Sequence, residues 1–266
     1  MKISYIQDKN ETLLSSLSSH LSELGKNKLR LLIKSKEVRL NGNRVICNVE
    51  LKEGDRIEAY VPEAIKKTAS VSIIYSDELI IVADKPAGVD STLALPRLLE
   101  KEFGKVYPAH RLDTNTTGVI ILARSEQALE ELKKAFKGRR VHKTYEATVI
   151  GKMPSMCGKM IDRLVRSEGN TIKVGSEGAL AETDYEVISF DGELTKLKLR
   201  PLTGRTHQLR VQLAHIGCPI LGDGKYGNFE YNKKAGITKQ MLRAVSVEID
   251  AIGLLARYKG KVFSAG

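Results

Sequence analysis

The stretch that decides the reading is His110-Arg111-Leu112-Asp113-Thr114-Asn115-Thr116-Thr117-Gly118-Val119-Ile120-Ile121-Leu122-Ala123. Its second half is a short continuous apolar run, the pattern of a buried strand. Its first half crowds ionisable and hydroxyl residues into a loop that opens directly into that strand. A lone Asp in such a place most often caps a turn. A working carboxylate instead needs a nearby cation to hold it charged and oriented. Arg111 is too close in sequence to be the obvious partner. Arg205, from a later segment, is the better candidate.

That segment is Leu202-Thr203-Gly204-Arg205-Thr206-His207-Gln208-Leu209-Arg210. Thr206 reads as the N-cap of a helix whose buried stripe is Leu209, Leu213 and Ile216, ended by Gly217. Arg205 then lies just outside the helix, where amides and guanidinium together suit an anion, either a carboxylate or an RNA phosphate. The plainer alternative is a structural cap with an incidental Arg. His207 and His215 lack acidic neighbours at ligand spacing, which argues against zinc. Lys143-Thr144-Tyr145-Glu146-Ala147 begins a strand. A strand Tyr is usually core, and the functional alternative is a ring lining a pocket for a flat base. Asp84-Lys85-Pro86-Ala87-Gly88-Val89 makes a turn after another buried strand, with Lys85 expected at its mouth.

Composition narrows the class. The chain has 266 residues, 42% hydrophobic and 28% charged, with 43 Lys plus Arg against 32 Asp plus Glu and a net charge of +11. The pI is about 9.4. These values exclude a disordered chain or a rod and favour a polyanionic partner. Cys47, Cys157 and Cys218 are odd in number and far apart, so neither a disulfide framework nor a cysteine-rich zinc site is expected. The first residues carry no secretory apolar region, and no apolar run approaches the length of a membrane span. The default is a cytoplasmic protein with no membrane partner. Neither GxxxxGK[ST], GxGxxG after a strand, nor GxSxG occurs, so ATP, dinucleotide or Ser-hydrolase chemistry is not indicated.

The expected organisation is residues 1–61 as one unit, 62–70 as a linker and 71–266 as a second unit. In the first, Leu13, Leu14, Leu17, Leu21 and Leu24 recur at helical spacing and Gly25 ends the helix. Asn27 can cap a second helix, with Leu29, Leu32 and Ile33 as its stripe. Asn41-Gly42 between short strand-like runs predicts a type I′ hairpin, which needs two positive φ angles. Lys26, Lys28, Arg30, Lys34, Lys36, Arg39 and Arg44 face a single acid, Glu37, between residues 26 and 44. A charge run is usually a solvated face, but one this one-sided favours RNA or DNA phosphates. A second basic run is Lys133, Lys134, Lys137, Arg139, Arg140 and Lys143. In the second unit, strands are expected at 71–75, 79–83, 118–123, 144–150, 182–190 and 194–199, with helices at 125–136 and 206–216. Strands and helices do not alternate strictly, so the expected class is α+β with a mixed, largely antiparallel central sheet flanked by helices and loops.

Residues 12–60 resemble an S4-type RNA-binding domain, through the leucine helix, the basic helix ending Ile33-Lys34-Ser35-Lys36-Glu37-Val38, Val38-Arg39-Leu40-Asn41-Gly42 and Leu51-Lys52-Glu53-Gly54-Asp55. Residues 71–250 resemble the RluA-type pseudouridine synthases. The matching pieces are Asp84–Gly88, His110–Asp113 with Thr117-Gly118, Lys143–Ala147, and Gly204–Arg210 continuing through His215–Asp223 to Lys225-Tyr226-Gly227. The resemblance implies isomerisation of uridine to pseudouridine in structured RNA, without metal or organic cofactor. It implies Asp113 as the catalytic carboxylate, Arg205 as its partner and Tyr145 against the base. Arg111, His110, Lys85, Thr117, His207 and Arg210 are implied as substrate contacts, with Arg111 filling the gap left by the extruded nucleotide. Large-subunit ribosomal RNA is favoured over transfer RNA, with a monomer expected. The reading from another class is a non-catalytic RNA-binding or ribosome-assembly factor.

Overall fold

The computed structural model describes residues 1–21, 24–62, 70–167 and 171–265. The linker expected at 62–70 lies almost wholly outside them, and so do the side chains of Lys26 and Asn27. The chain divides into two compact units, Met1–Ser70 and Val71–Gly266.

The first unit contains strands β1 (Lys2–Ile6), β2 (Glu11–Thr12), β3 (Val38–Leu40), β4 (Asn43–Val45), β5 (Glu50–Leu51) and β6 (Arg56–Tyr60), and helices α1 (Leu13–His20) and α2 (Lys26–Lys34). The main sheet has the order β1-β6-β3-β4, and β2 pairs with β5. The leucine stripe packs as its spacing requires. Leu13, Leu17, Leu21 and Leu24 meet Leu29, Leu32, Ile33, Val38, Leu51 and Ile57 in one core, each fully buried side chain contributing roughly 1.5–3 kcal/mol. The helix boundaries differ from expectation. Thr12 caps α1 by accepting a hydrogen bond from the Ser15 amide, and α1 ends at His20. Gly25 opens α2 rather than closing α1, so Asn27 lies inside that helix and is not its cap. Asn41 and Gly42 both have positive φ, at 50° and 83°, and join Leu40 to Asn43. The Asn41 side chain accepts from the Arg56 amide and donates to Asp55, both at 2.8 Å.

Among the described residues the second unit is built on one eleven-stranded sheet. Its strands are β7 (Ser72–Ser76), β8 (Ile80–Lys85), β9 (Tyr107–Pro108), β10 (Thr117–Ala123), β11 (Val141–Ile150), β12 (Cys157–Ser167), β13 (Thr171–Val174), β14 (Ala179–Phe190), β15 (Leu194–Pro201), β16 (Leu242–Ile249) and β17 (Lys261–Ser264). The helices are α3 (Ala94–Phe103), α4 (Glu126–Lys137), α5 (Gln208–His215) and α6 (Phe229–Lys234), with a 3-10 turn over Gly253–Tyr258. The order is β13-β12-β14-β15-β11-β16-β10-β8-β7, with β17 beside β16 and β9 beside β10. Among the described residues its strands pair antiparallel except β10 with β16, and one isolated bridge, Ile249 with Lys259, is also parallel. The class is therefore α+β with a mixed, largely antiparallel sheet.

β10 is buried from Gly118 to Ala123, which explains its unbroken apolar run. Ser125 caps α4. Its Ala128, Leu132 and Ala135 pack with Val119, Ile121, Ala123, Val247 and Ile249. Gly118 permits the parallel crossing of β10 and β16: its φ is 109°, and a Cβ there would stand 2.0 Å from the Ala244 carbonyl oxygen. That close approach brings the polar loop ahead of β10 beside β16 and its neighbour β11. A bulge in the β11–β16 ladder falls between Thr144 and Tyr145, where an irregular strand re-aims a side chain.

Candidate active site

The loop between β9 and β10 is pinned at several points. Ser91 Oγ donates to the Leu112 carbonyl (2.9 Å) and accepts from its amide (3.1 Å). The Gly88 amide donates to the Thr114 carbonyl at 2.8 Å, and the Thr116 amide to that of Asp113 at 3.0 Å. Gln240 Nε2 donates to Thr116 Oγ1 at 2.9 Å. A loop so held presents Asp113 in a fixed orientation, the preorganisation that a reacting group requires.

Asp113 meets Arg210, not Arg205. Arg210 Nη1 donates to Asp113 Oδ2 at 3.0 Å. The same guanidinium donates from Nε and Nη2 to the two oxygens of Asp223, at 2.7 and 2.9 Å. Asp223 is wholly buried and also accepts from the amides of Lys225 and Tyr226. Burial opposes the Arg210 charge, but Asp223 and then Asp113 outweigh it and raise its pKa. Burial likewise opposes the Asp223 charge, and Arg210 with the two amides overcomes it, lowering that pKa.

The pairing expected of Arg205 is corrected by the geometry of its turn. The helix starts at Gln208, with His207 in the left-handed region at φ 55°. The cap is therefore not Thr206. Gln208 Oε1 instead accepts from the Arg205 amide and from Thr203 Oγ1. Arg205 is exposed and donates from Nε to the Leu180 carbonyl at 2.9 Å, while Arg210, in the first turn of α5, points at Asp113.

One open cleft of about 1040 Å³ brings together His110, Arg111, Asp113, Tyr145, Arg205, His207 and Arg210. Tyr145 is buried, and burial followed by the charge of Asp113 raises its pKa, so its hydroxyl is protonated at neutral pH. His207 Nε2 stands 4.0 Å from Asp113 Oδ1, and its Nδ1 meets the Tyr226 hydroxyl at 2.8 Å. That hydroxyl accepts from the Ile172 amide at 3.0 Å. Burial, more than any neighbouring charge, lowers the His207 pKa.

His110 reaches the cleft wall, but its Nε2 accepts from the Ile121 amide at 3.0 Å and its ring tilts against Phe136. Burial, then the charge of Lys143, pushes its pKa down to about 3. It is a neutral, largely structural ring. Two expected contacts are corrected. Lys85 is not at the mouth of its turn: it is wholly buried, and Nζ donates to the carbonyls of Pro86, Val89 and Thr114. Burial lowers its pKa to about 8 against the opposing pull of Asp113 and Asp90. Thr117 lies in the β10–β16 ladder opposite Arg243, and its neighbour Thr116 lines the cleft.

Asp223 and Tyr226 fall within the sequence motifs, yet sequence reasoning gives neither a role. An Asp directly after the apolar Ile220-Leu221-Gly222 is the available signal, because a buried carboxylate demands a partner. Among the described residues no group of three His, Cys, Asp or Glu side chains is placed to hold a metal ion, and no helix is long and apolar enough to cross a membrane.

In the first unit, Lys28, Arg30 and Lys34 lie on α2, with Lys26 at its start. Lys36 follows in the turn, Arg39 is on β3 and Arg44 on β4. Arg39 stands directly opposite Arg44 on one side, an unfavourable pairing of like charges, and opposite Glu58 on the other. Lys2, Lys36, Arg39, Arg44 and Tyr60, with Glu37 and Glu58, line a hollow of about 290 Å³.

Residues 76–215 match the family described as RNA pseudouridylate synthase. A protein of Rickettsia conorii named ribosomal large subunit pseudouridine synthase C is 31% identical over 85% of this chain and 86% of its own length. A Chlorobaculum parvum protein described as an uncharacterized RNA pseudouridine synthase is 31% identical over 86% of this chain and 81% of its own. The solved human RNA pseudouridylate synthase domain containing 1 superposes with a TM-score of 0.62 and 30% identity, over 68% of this chain and 79% of that one. With four motifs, a cleft and a sheet in agreement, the chain belongs to the RNA pseudouridylate synthase family, as an isomerase of the RluA type.

Proposed function

We propose that this enzyme isomerises uridine in large-subunit ribosomal RNA, with Asp113 as the reacting carboxylate, Arg210 as its partner and Tyr145 against the base. The observation that carries the assignment is the 3.0 Å contact of Arg210 with Asp113 at the wall of the cleft. The ribosomal substrate is supported by the name of the Rickettsia relative.

The reaction breaks the N1–C1′ bond of uridine, turns the uracil and joins C5 to C1′. N1 gains a proton and C5 loses one, so atoms balance without a cofactor. Asp113 serves in either of two routes at the same sugar: attack on C1′, or removal of a ribose proton that lets the base leave. The fixed guanidinium keeps the carboxylate charged in both. The target must leave its stack, which costs a few kcal/mol, and Arg111, exposed at the cleft, fills the space it vacates. The Tyr145 ring walls the base. Its protonated hydroxyl can take the C5 proton only as it passes its own on.

The unit Met1–Ser70 serves in this reading as an S4-like RNA-binding domain, with the hollow between Arg39, Arg44 and Tyr60 receiving phosphate. In this reading the enzyme acts as a monomer in the cytoplasm. Mapping pseudouridines in cells with and without the protein tests the substrate. Loss of at least one large-subunit site is expected; losses confined to transfer RNA would overturn the ribosomal assignment.

A further inference from the structure

Lys143 sits on β11 two residues before Tyr145, on the wall of the same cleft. Its ammonium lies 3.8 Å from where a side chain at Gly204 would begin and 5.9 Å from the centre of the Phe136 ring. The ring is the one partner found for it among the described residues; no carboxylate stands within ion-pair distance. Glu248 lines the cleft too but does not reach it. Desolvation alone lowers the Lys143 pKa, with no anion offsetting it. Among the described residues, Arg139 and Arg200, on the same cleft, also have no carboxylate partner.

A half-buried ammonium on a cleft wall is costly without a counterion, and an anion arriving with the ligand supplies one. Asp113 does not serve: its ion-pair partners are Arg210 and His207. RNA brings one kind of anion in its ground state, the phosphodiester, since uracil and ribose are neutral. We propose that Lys143 grips a backbone phosphate flanking the target uridine, so that the extruded nucleotide is held by its backbone while Tyr145 and Asp113 meet its base and sugar. The subsite rests on the proposal that isomerisation takes place in this cleft. The neighbouring Gly204 suits it, since any side chain there would begin in contact with the ammonium.

The test uses the full-length enzyme and a synthetic stem-loop with a uridine that the wild type isomerises. The stem-loop is made in versions with one neutral methylphosphonate linkage each. Whether that uridine belongs to large-subunit RNA is decided by the mapping experiment and not by this one. Lys143→Met should lower kcat/KM by roughly 10- to 100-fold, the span of one charge-assisted hydrogen bond, and Lys143→Arg should restore part of it. At one linkage next to the target, the methylphosphonate should cost the wild type a similar factor and Lys143→Met nothing further. Lys143→Met should also melt no lower than the wild type, because it removes a half-buried charge that has no carboxylate partner. Equal penalties for both enzymes at every linkage would overturn the phosphate grip in favour of a contact with the base. A marked fall in melting temperature would overturn it in favour of packing.

Discussion

Asp223 grips Arg210 through both carboxylate oxygens, at 2.7 and 2.9 Å, and so leaves Nη1 as the nitrogen that reaches Asp113. A bidentate pair fixes the plane of the guanidinium. The orientation of the proposed reacting carboxylate thus depends on a residue far along the chain, wholly buried and behind the lining of the cleft.

Asp223→Asn should leave Arg210 buried and short of charge compensation. Removing one partner of a buried pair costs about 3–5 kcal/mol, and denaturant titration should show a loss of that order. At temperatures where the variant stays folded, kcat should fall more than RNA affinity. Unchanged stability with unchanged kcat would remove Asp223 from this supporting role.

His110 gives the fold an acid-sensitive element. Its pKa falls from 6.5 to about 3 on folding, through burial first and Lys143 second. Between those pH values the unfolded chain binds the extra proton and the folded one does not, so stability rises with pH across that window. The contribution is complete above pH 6.5 and lost as the pH falls toward 3. His110→Gln, which keeps an acceptor for the Ile121 amide, should flatten the stability profile between those limits. An equally steep profile would place the acid sensitivity elsewhere.

Arg39 and Arg44 face each other across the β3–β4 hairpin, as expected of a surface awaiting phosphate. Replacing both by Ala should reduce the slope of log affinity against log salt by roughly 0.7–0.9 for each phosphate that the hairpin no longer neutralises. Binding measured on a structured RNA at several salt concentrations checks this. A slope equal to that of the wild type would deny the hairpin a phosphate role.

Much of this architecture is legible in the sequence because its signals are local. Asn41-Gly42 dictates its turn through two positive φ angles, Ser125 dictates the start of α4, and the run Val119–Ala123 has no place but the core. Asp113 stands out because a polar loop flanks an apolar strand, whereas Tyr145 reads as core from its strand alone and takes its role from the family resemblance. The partner of Asp113 is not legible. Arg205 and Arg210 differ only in where the helix begins, and that is set by His207 turning left-handed and Gln208 folding back on the Arg205 amide. Neither event has a propensity signal; Thr206 is the better cap by type. Lys85 misleads for a related reason. A Lys at a strand end reads as exposed, and its burial is intelligible only once carbonyls from its own turn and from the loop at Thr114 surround it.

Asp113→Asn is the most direct measurement, because it preserves shape and removes only the charge. Pseudouridine formation on an RNA that the wild type isomerises should drop by on the order of 10⁴-fold or more, as when a reacting group is lost. Affinity for the same RNA should stay within about 3-fold, below 1 kcal/mol. Turnover near the wild-type rate in that variant would contradict the account.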